Sequence, residues 1–334
     1  MKTSSTLNGI APKQRLNPLL FVGVVALVLS ILFPILTIKQ PFLVVLASHA
    51  LIAAMVAVSL DALTGNTGLL SFGHAGWFGL GGYITGLLAK SVTTEILFLL
   101  PIATALTMIL SCIFGQIFMR QIGKAFAILT LAFSQVLFAL VFVLSSITGG
   151  EDGLQGIPSP TFFGVRIAGP HVWYWLLLFS LVTFLAIVLY IRTTPLGKAW
   201  LGVRENTERA TFIGLNVFRL KVMAYMISAM LATIAGGLFV LFNGAISPES
   251  LHWFESGKIL MYVVLGGVGT IVGPAIGAVV FTLAENYISS VSDSWLVYFG
   301  ALFVFIVIVA PGGIFGLLKP HWLRLTSGVK ESTQ

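Results

Sequence analysis

Apolar runs of membrane-spanning length recur along this chain, and they constrain its fold more than any other feature. Leu19–Ile38, Phe42–Leu60, Ile96–Phe118, Ala125–Ile147, Val172–Ile191 and Val222–Phe242 are such runs, with a further one near Trp295–Ala310. Each approaches the ~20 apolar residues that a helix needs to cross a hydrocarbon core. Lipid offers no hydrogen bonds, so each run must satisfy its own backbone, which a helix does and a lone strand does not. Charged residues make up only 9% of the chain and mean hydropathy is +1.03, whereas soluble domains are about a quarter charged. A soluble globular domain is excluded. The expected fold is an all-α polytopic membrane protein with about 8 full crossings.

Two further segments are apolar but rich in glycine: Thr64–Lys90 and Gly257–Glu285, the second with Pro274 near its middle. Glycine and proline interrupt a helix, and broken backbone survives at membrane depth only when it is buried in protein or lines a polar cavity. Such paired interruptions, one in each half of a chain, point to a transport site between structural repeats. Inverted halves at about 19–147 and 172–310 are therefore expected. Ser71, Gly73, His74 and Gly76 in the first segment, with Gly266, Gly267, Gly269, Gly273 and Pro274 in the second, are the translocation-path or gating candidates. The spacings Gly82-x3-Gly86 and Gly269-x3-Gly273-x3-Gly277 would put small residues on one helix face for close packing. His74 is open to two readings: a group that meets a substrate or gate, or a histidine satisfied by a neighbouring helix. His49 reads as structural and Asp61 as interfacial.

Orientation follows from the basic residues. The N-terminus, the Arg120/Lys124 turn, the stretch Arg192–Lys221 and the C-terminal tail are basic, whereas loops 148–171, 243–257 and 285–294 carry Glu151, Asp152, Glu249, Glu255, Glu285 and Asp293. Basic loops stay in the cytoplasm, which keeps the tails 1–18 and 319–334 inside around a membrane domain of 19–318. For the basic tail to return inside, Gly257–Glu285 must be re-entrant or form two short helices. The run from Leu19 is long and lacks a convincing cleavage site, so it reads as an uncleaved first helix. The net charge of +7 lies in these short loops, which argues against nucleic acid as a partner.

No carboxylate pair or His/Glu cluster has acid–base or metal spacing, so no catalytic residue, metal or cofactor is expected in this chain. The single Cys112 forms no intramolecular disulfide. GGVGTIVGP is not a nucleotide fingerprint, and no Walker-type GK[ST] occurs. The longest polar interruption, Arg192–Lys221, holds six of the eighteen Lys and Arg residues. Pro195-Leu196-Gly197 ends a membrane helix. From Lys198 to Phe212 a short amphipathic helix is expected, with Trp200, Leu201 and Phe212 available for apolar contact. Glu208 to Gly214 fits E-x-A-x-x-x-G. A solvated or lipid-surface helix would read similarly, and loop 148–158 could receive a partner, gate a path or merely connect.

Five blocks in order, GLLSFGHAGWFGLGGY (68–83), ILTLAFSQ (128–135), TGGEDGLQGIP (148–158), PLGKAWLGVRENTERATFIGLN (195–216) and GGVGTIVGPAIGA (266–278), give the chain a resemblance beyond about residue 45. It resembles the M-type membrane subunit of the branched-chain amino acid permease family of bacterial ABC importers. The resemblance implies that 208–214 is the family's version of the EAA coupling motif, with Arg209 where the usual motif has alanine. Gly197, Arg204, Glu205, Glu208, Ala210, Gly214 and Asn216 would then form the ATPase-coupling set. It further implies a second, related permease, two cytoplasmic ATPase subunits and a periplasmic binding protein as partners, in a bacterial cytoplasmic (inner) membrane. Branched-chain amino acids are the implied substrate, with urea, short amides or other amino acids as alternatives within the same family. An ion-coupled secondary transporter is the rival class, although few intramembrane charges are available to bind an ion.

Overall fold

The computed structural model describes residues 26–34, 37, 39–121 and 123–291, with isolated positions between 297 and 313. The expected helix near Trp295–Ala310 lies largely outside the described residues, as do both tails. Helix α1 is seen as residues 26–34. The chain continues through α2 (Pro41–Thr67), α3 (His74–Ser91), α4 (Ile96–Phe118), α5 (Lys124–Val143) and the single turn α6 (Ser145–Thr148). A small hairpin, β1 (Thr161–Phe162) against β2 (Val165–Arg166), precedes α7 (Pro170–Thr193). Then come α8 (Pro195–Glu205), α9 (Thr207–Phe212), α10 (Val217–Asn243), α11 (Trp253–Gly266) and α12 (Val272–Val291). Among the described residues, α2, α4, α5, α7 and α10 are long and apolar enough to cross a membrane. The all-α polytopic expectation holds.

Helices α2 and α10 form the centre, each with 67% of its apolar stretch buried, while α4 and α5 bury only 28%. Phe98, Ile109, Ile128 and Val136 on the outer helices stay exposed, as suits a hydrocarbon surround. At 27 residues, α2 is about 40 Å long at 1.5 Å per residue. The end holding α8 and α9 is called basal below. The apical end holds the 148–171 and 243–252 loops, joined where Leu154 and Ile246 exchange backbone hydrogen bonds of 2.9 and 3.0 Å. An aromatic cluster anchors the basal half: Trp77 stacks near Phe133 and donates its indole N–H to the Tyr225 hydroxyl at 2.8 Å.

Helices α3 and α10 approach until backbone meets backbone. A Cβ on Gly236 would overlap the Phe78 carbonyl oxygen, and one on Gly81 would overlap Thr233. Gly82 lies against Ile246 and Gly236, while Gly86 meets Leu154 and Ile157 of the apical loops. The small residues therefore set the α3–α10 distance, as the spacing suggested.

Four expectations are corrected in detail. Helix α2 does not stop at Asp61 but runs to Thr67, where Gly68 takes the left-handed cap (φ 75°). The expected single helix Lys198–Phe212 is two, because Asn206 leaves the helix and accepts the Arg209 N–H on its side chain, which starts α9. Pro195 likewise opens α8 behind the Thr194 cap. Gly257–Glu285 forms two helices, as the charge argument required, but Gly269 falls in the break between them and shares no helix face with Gly273 and Gly277. Those two lie on α12 against Gly266 and Tyr262 of α11.

Replacing Gly236 with valine is expected to disrupt folding, seen as loss of monodisperse protein in detergent. The control Gly257→Ala, where a Cβ meets nothing within 4 Å, should leave the melting temperature unchanged or raise stability by about 0.4–1 kcal/mol.

Candidate functional site

Three polar features lie along α2 at different depths, and together they make up the site. The uppermost is a cavity of about 330 Å³ between α2, α3, α10, α11 and α12. Ile52 and Val56 of α2 line it with Phe78 of α3 and Phe239 of α10. Lys258 of α11 stands in its wall and pairs with Glu285 of α12 at 2.9 Å and with Glu255 at 3.4 Å. These are the only ion pairs among the described residues. His49 also lines the cavity, edge-on to Phe242, so its structural reading needs extending. Glu255 and Glu285 were expected in loops. The structure puts both on helices, because α11 begins at Trp253 and α12 runs to Val291.

Three residues below Val56, about 4.5 Å along α2, a chain of hydrogen bonds joins α2, α3 and α10. The Ser228 hydroxyl donates to the Ser59 carbonyl, so its single proton is spent. The His74 Nε2 contact with Ser228 Oγ, at 2.6 Å, must then be donated by the imidazole. That leaves Nδ1 as an acceptor for the Ser71 hydroxyl at 3.1 Å, while Ser71 Oγ accepts the Gly73 N–H at 3.3 Å. His74 is thus a neutral Nε2–H imidazole with both nitrogens engaged. It fastens the irregular segment 68–73 to α2 and α10. The same segment is satisfied by Thr130, whose hydroxyl accepts the Phe72 N–H, and by Thr64, which donates to the Leu69 carbonyl. Gly73 packs on the Thr130 backbone and Gly76 on Ser134 of α5.

Five residues below Val56, about 7.5 Å along α2, Asp61 is 1% exposed. It is buried rather than interfacial. Its two carboxylate oxygens accept the backbone N–H groups of Gly269 (2.6 Å) and Ile271 (3.3 Å). These donors lie in the break just before α12, so Asp61, from another helix, caps irregular backbone that has no helical partner there. The break needs such support. Gly267, Gly269 and Ile271 all have positive φ, 108°, 84° and 66°, and a β-branched residue there is strained. Arg192 at the foot of α7 donates to the Gly269 carbonyl at 2.8 Å and to Asn66 Oδ1 at 2.6 Å. Arg204 of α8 reaches the Gly65 carbonyl beside it. Both guanidinium groups attract the Asp61 carboxylate. Gly266 and Gly273 touch each other across the break, with Pro274 buried beside them.

The sequence candidates therefore separate into two groups. Ser71, Gly73, His74 and Gly76 lie in the middle cluster, and Gly266, Gly267, Gly269, Gly273 and Pro274 lie at the basal break. Of the coupling set, Gly197 is buried against the Ile191 carbonyl, Ala210 is buried, and Asn216 caps α10 by accepting the Arg219 N–H. Arg204 turns inward to Gly65. Glu205 and Glu208 are exposed, and Gly214 turns the chain with φ 85°. Beyond them Phe212 and Ile213 are 89% and 73% exposed. Reading the sequence missed Asp61, Arg192, Lys258 and Glu285. The Glu255-x2-Lys258 spacing was the one signal available for the upper cavity.

Replacing Asp61 by leucine should leave two buried N–H groups and the arginines without their counter-charge. A loss of about 3–5 kcal/mol is expected, read as a lower unfolding midpoint in detergent. Asp61→Asn should fall between, since an amide oxygen still accepts one N–H.

A family model described as branched-chain amino acid transport system / permease component matches residues 42–311. The high-affinity branched-chain amino acid transport system permease protein LivM of Escherichia coli is 29% identical, over 98% of this chain and 81% of that relative. Its counterpart LivM of Salmonella typhimurium is 28% identical over 90% and 77%. The permease protein LivH of Salmonella typhimurium is 25% identical over 79% and 91%. No solved structure matches the chain.

Proposed function

The chain belongs to the family of branched-chain amino acid transport permease components, and from that premise we propose how it works. It is a membrane permease subunit of an ABC importer. It carries branched-chain amino acids, the substrate class in the names of its relatives, which we read as leucine-, isoleucine- and valine-type side chains. It pairs with a second, related permease. Two cytoplasmic ATPases drive it, and a periplasmic binding protein supplies it at the apical end. It sits in a bacterial inner membrane with the basal end in the cytoplasm.

The observation that carries this reading is the basal segment 195–216. It is a pair of short helices, rigidly rooted by buried Gly197, Trp200 and Ala210, that nevertheless exposes Phe212 and Ile213 beside Glu205 and Glu208. Two large apolar side chains on a charged surface are suited to a protein partner. The ATPases would take α9 in a surface groove, with Glu208 to Gly214 as the coupling motif.

The mechanism follows from the hydrogen bonds at the root of that segment. Movement of α8 carries Arg204, and movement of its junction with α7 carries Arg192. These arginines hold Gly65, Asn66 and Gly269. ATP binding thereby acts on the α11–α12 break, and the Asp61 cap on Gly269 and Ile271 makes the closed state a discrete one. The middle cluster at His74 and Ser228 would open with it as α3 and α10 shift. Net direction comes from the different affinities of the ATPases and the binding protein for the two states.

Phe212→Asp and Glu208→Trp should each reduce co-purification of the ATPase subunit by about tenfold or more, with membrane insertion unchanged. Leucine uptake into vesicles should fall in parallel. Undiminished capture of the ATPase by both variants would remove the coupling assignment. Uptake that follows an ion gradient and ignores ATP would instead favour the secondary-transporter reading.

A further inference from the structure

We infer that the 330 Å³ cavity is a transient binding subsite for the substrate inside this subunit, and that Lys258, Glu255 and Glu285 read the two charges of an α-amino acid zwitterion. The inference rests on the transport reading above and adds the site and its chemistry. Ligand pockets for small molecules start at about 300 Å³, so a cavity of about 330 Å³ suits a solute of amino-acid size.

The charges there are unbalanced. One ammonium serves the carboxylates of Glu255 and Glu285, and Glu249 also lines the cavity, so negative charge is in excess. Glu285 is the closer partner at 2.9 Å and its side chain is 19% exposed; Glu255, at 3.4 Å, is the looser and 35% exposed. A Lys ammonium has three donors, and two are occupied here. An incoming amino acid can place its α-ammonium on Glu255 and its α-carboxylate on the third Lys258 donor, while Glu285 keeps Lys258 in position. Each contact is then a charge-assisted hydrogen bond.

Part of the lining is apolar: Phe78 and Phe239 pack on each other with ring centroids 5.2 Å apart, and with Ile52, Val56 and Ile259 they offer a surface for a leucine-type side chain. A purely structural ion pair would need neither the surplus carboxylate nor the open space beside it. The arrangement disfavours neutral urea, which leaves both charges unmatched, and glutamate, whose side-chain carboxylate adds to the excess of negative charge from Glu249, Glu255 and Glu285.

The test uses the whole importer in proteoliposomes: this chain, its partner permease, both ATPases and the binding protein. Lys258→Gln should lower labelled-leucine uptake by about tenfold or more while binding-protein-stimulated ATP hydrolysis persists. Independently, Thr282 on the cavity wall is changed to cysteine in a Cys112→Ser background and labelled with a membrane-impermeant thiol reagent. Leucine should slow labelling about fivefold, as occupancy protects a site by mass action, while urea and glutamate should not. If leucine fails to protect Thr282→Cys in a complex that transports leucine, or Lys258→Gln transports it at the wild-type rate and KM, the subsite is overturned and the permease reading stands. A wild-type complex that moves urea but not leucine overturns both.

Discussion

A single buried carboxylate meeting two backbone N–H groups sets the terms for the rest of this molecule. Membrane depth leaves an interrupted helix with orphan donors, and in lipid each orphan costs several times what it does in water. The chain interrupts α11 and α12 at Gly267–Ile271 and meets the resulting need with Asp61 from α2. Burying that charge requires counter-charges, which fixes Arg192 and Arg204 at the basal end. Arg192 of α7 donates to the Gly269 carbonyl in the break, and Arg204 joins the basal helix α8 to Gly65 of α2 beside it. Structural necessity and mechanical connection are the same set of bonds.

Helix α2 also explains why the polar features fall on one line. Cavity, His74 hydrogen-bond cluster and Asp61 cap touch Val56, Ser59 and Asp61 in succession, within two turns of one helix. The helices around it reach these depths because two of them begin inside the bundle: α3 starts at His74 beside Ser228, and the Ala75 N–H donates to Ser256 near the start of α11. Helices that begin at mid-depth put termini and irregular backbone inside the bundle. Full-length helices alone could not.

Much of this was legible in the sequence. The long apolar runs gave the helices because a span of hydrophobic residues has one stable solution in lipid; Ile96–Phe118 has the same bounds in the structure. The charge alternation, with the glycines and Pro274 in its middle, pointed to a re-entrant pair or two short helices in 257–285, and two helices are present. The side-chain partners were not legible, since Asp61 and Gly269 are 208 residues apart and only the fold brings them together. Glu255 and Glu285 read as loop residues for the same reason: charge near the end of an apolar run suggests an exit from the membrane, and nothing local announces a cavity. His74 was visible as a polar residue in a membrane segment, but its tautomer and its two serine partners follow only from geometry. Asn206 was a missed local signal, because an N-capping residue within a polar stretch splits a helix.

The central claim is that events at α8 and α9 reach the α11–α12 break through the Asp61 cap. Amide hydrogen exchange across 266–273 in the assembled importer tests it directly, comparing the nucleotide-free state with one trapped by ATP and a hydrolysis-deficient ATPase. Release of Gly269 and Ile271 from Asp61 predicts faster exchange of this peptide in the ATP-bound state, together with a change at 207–214. Identical exchange at 266–273 in both states, with 207–214 responding to nucleotide, would contradict the account.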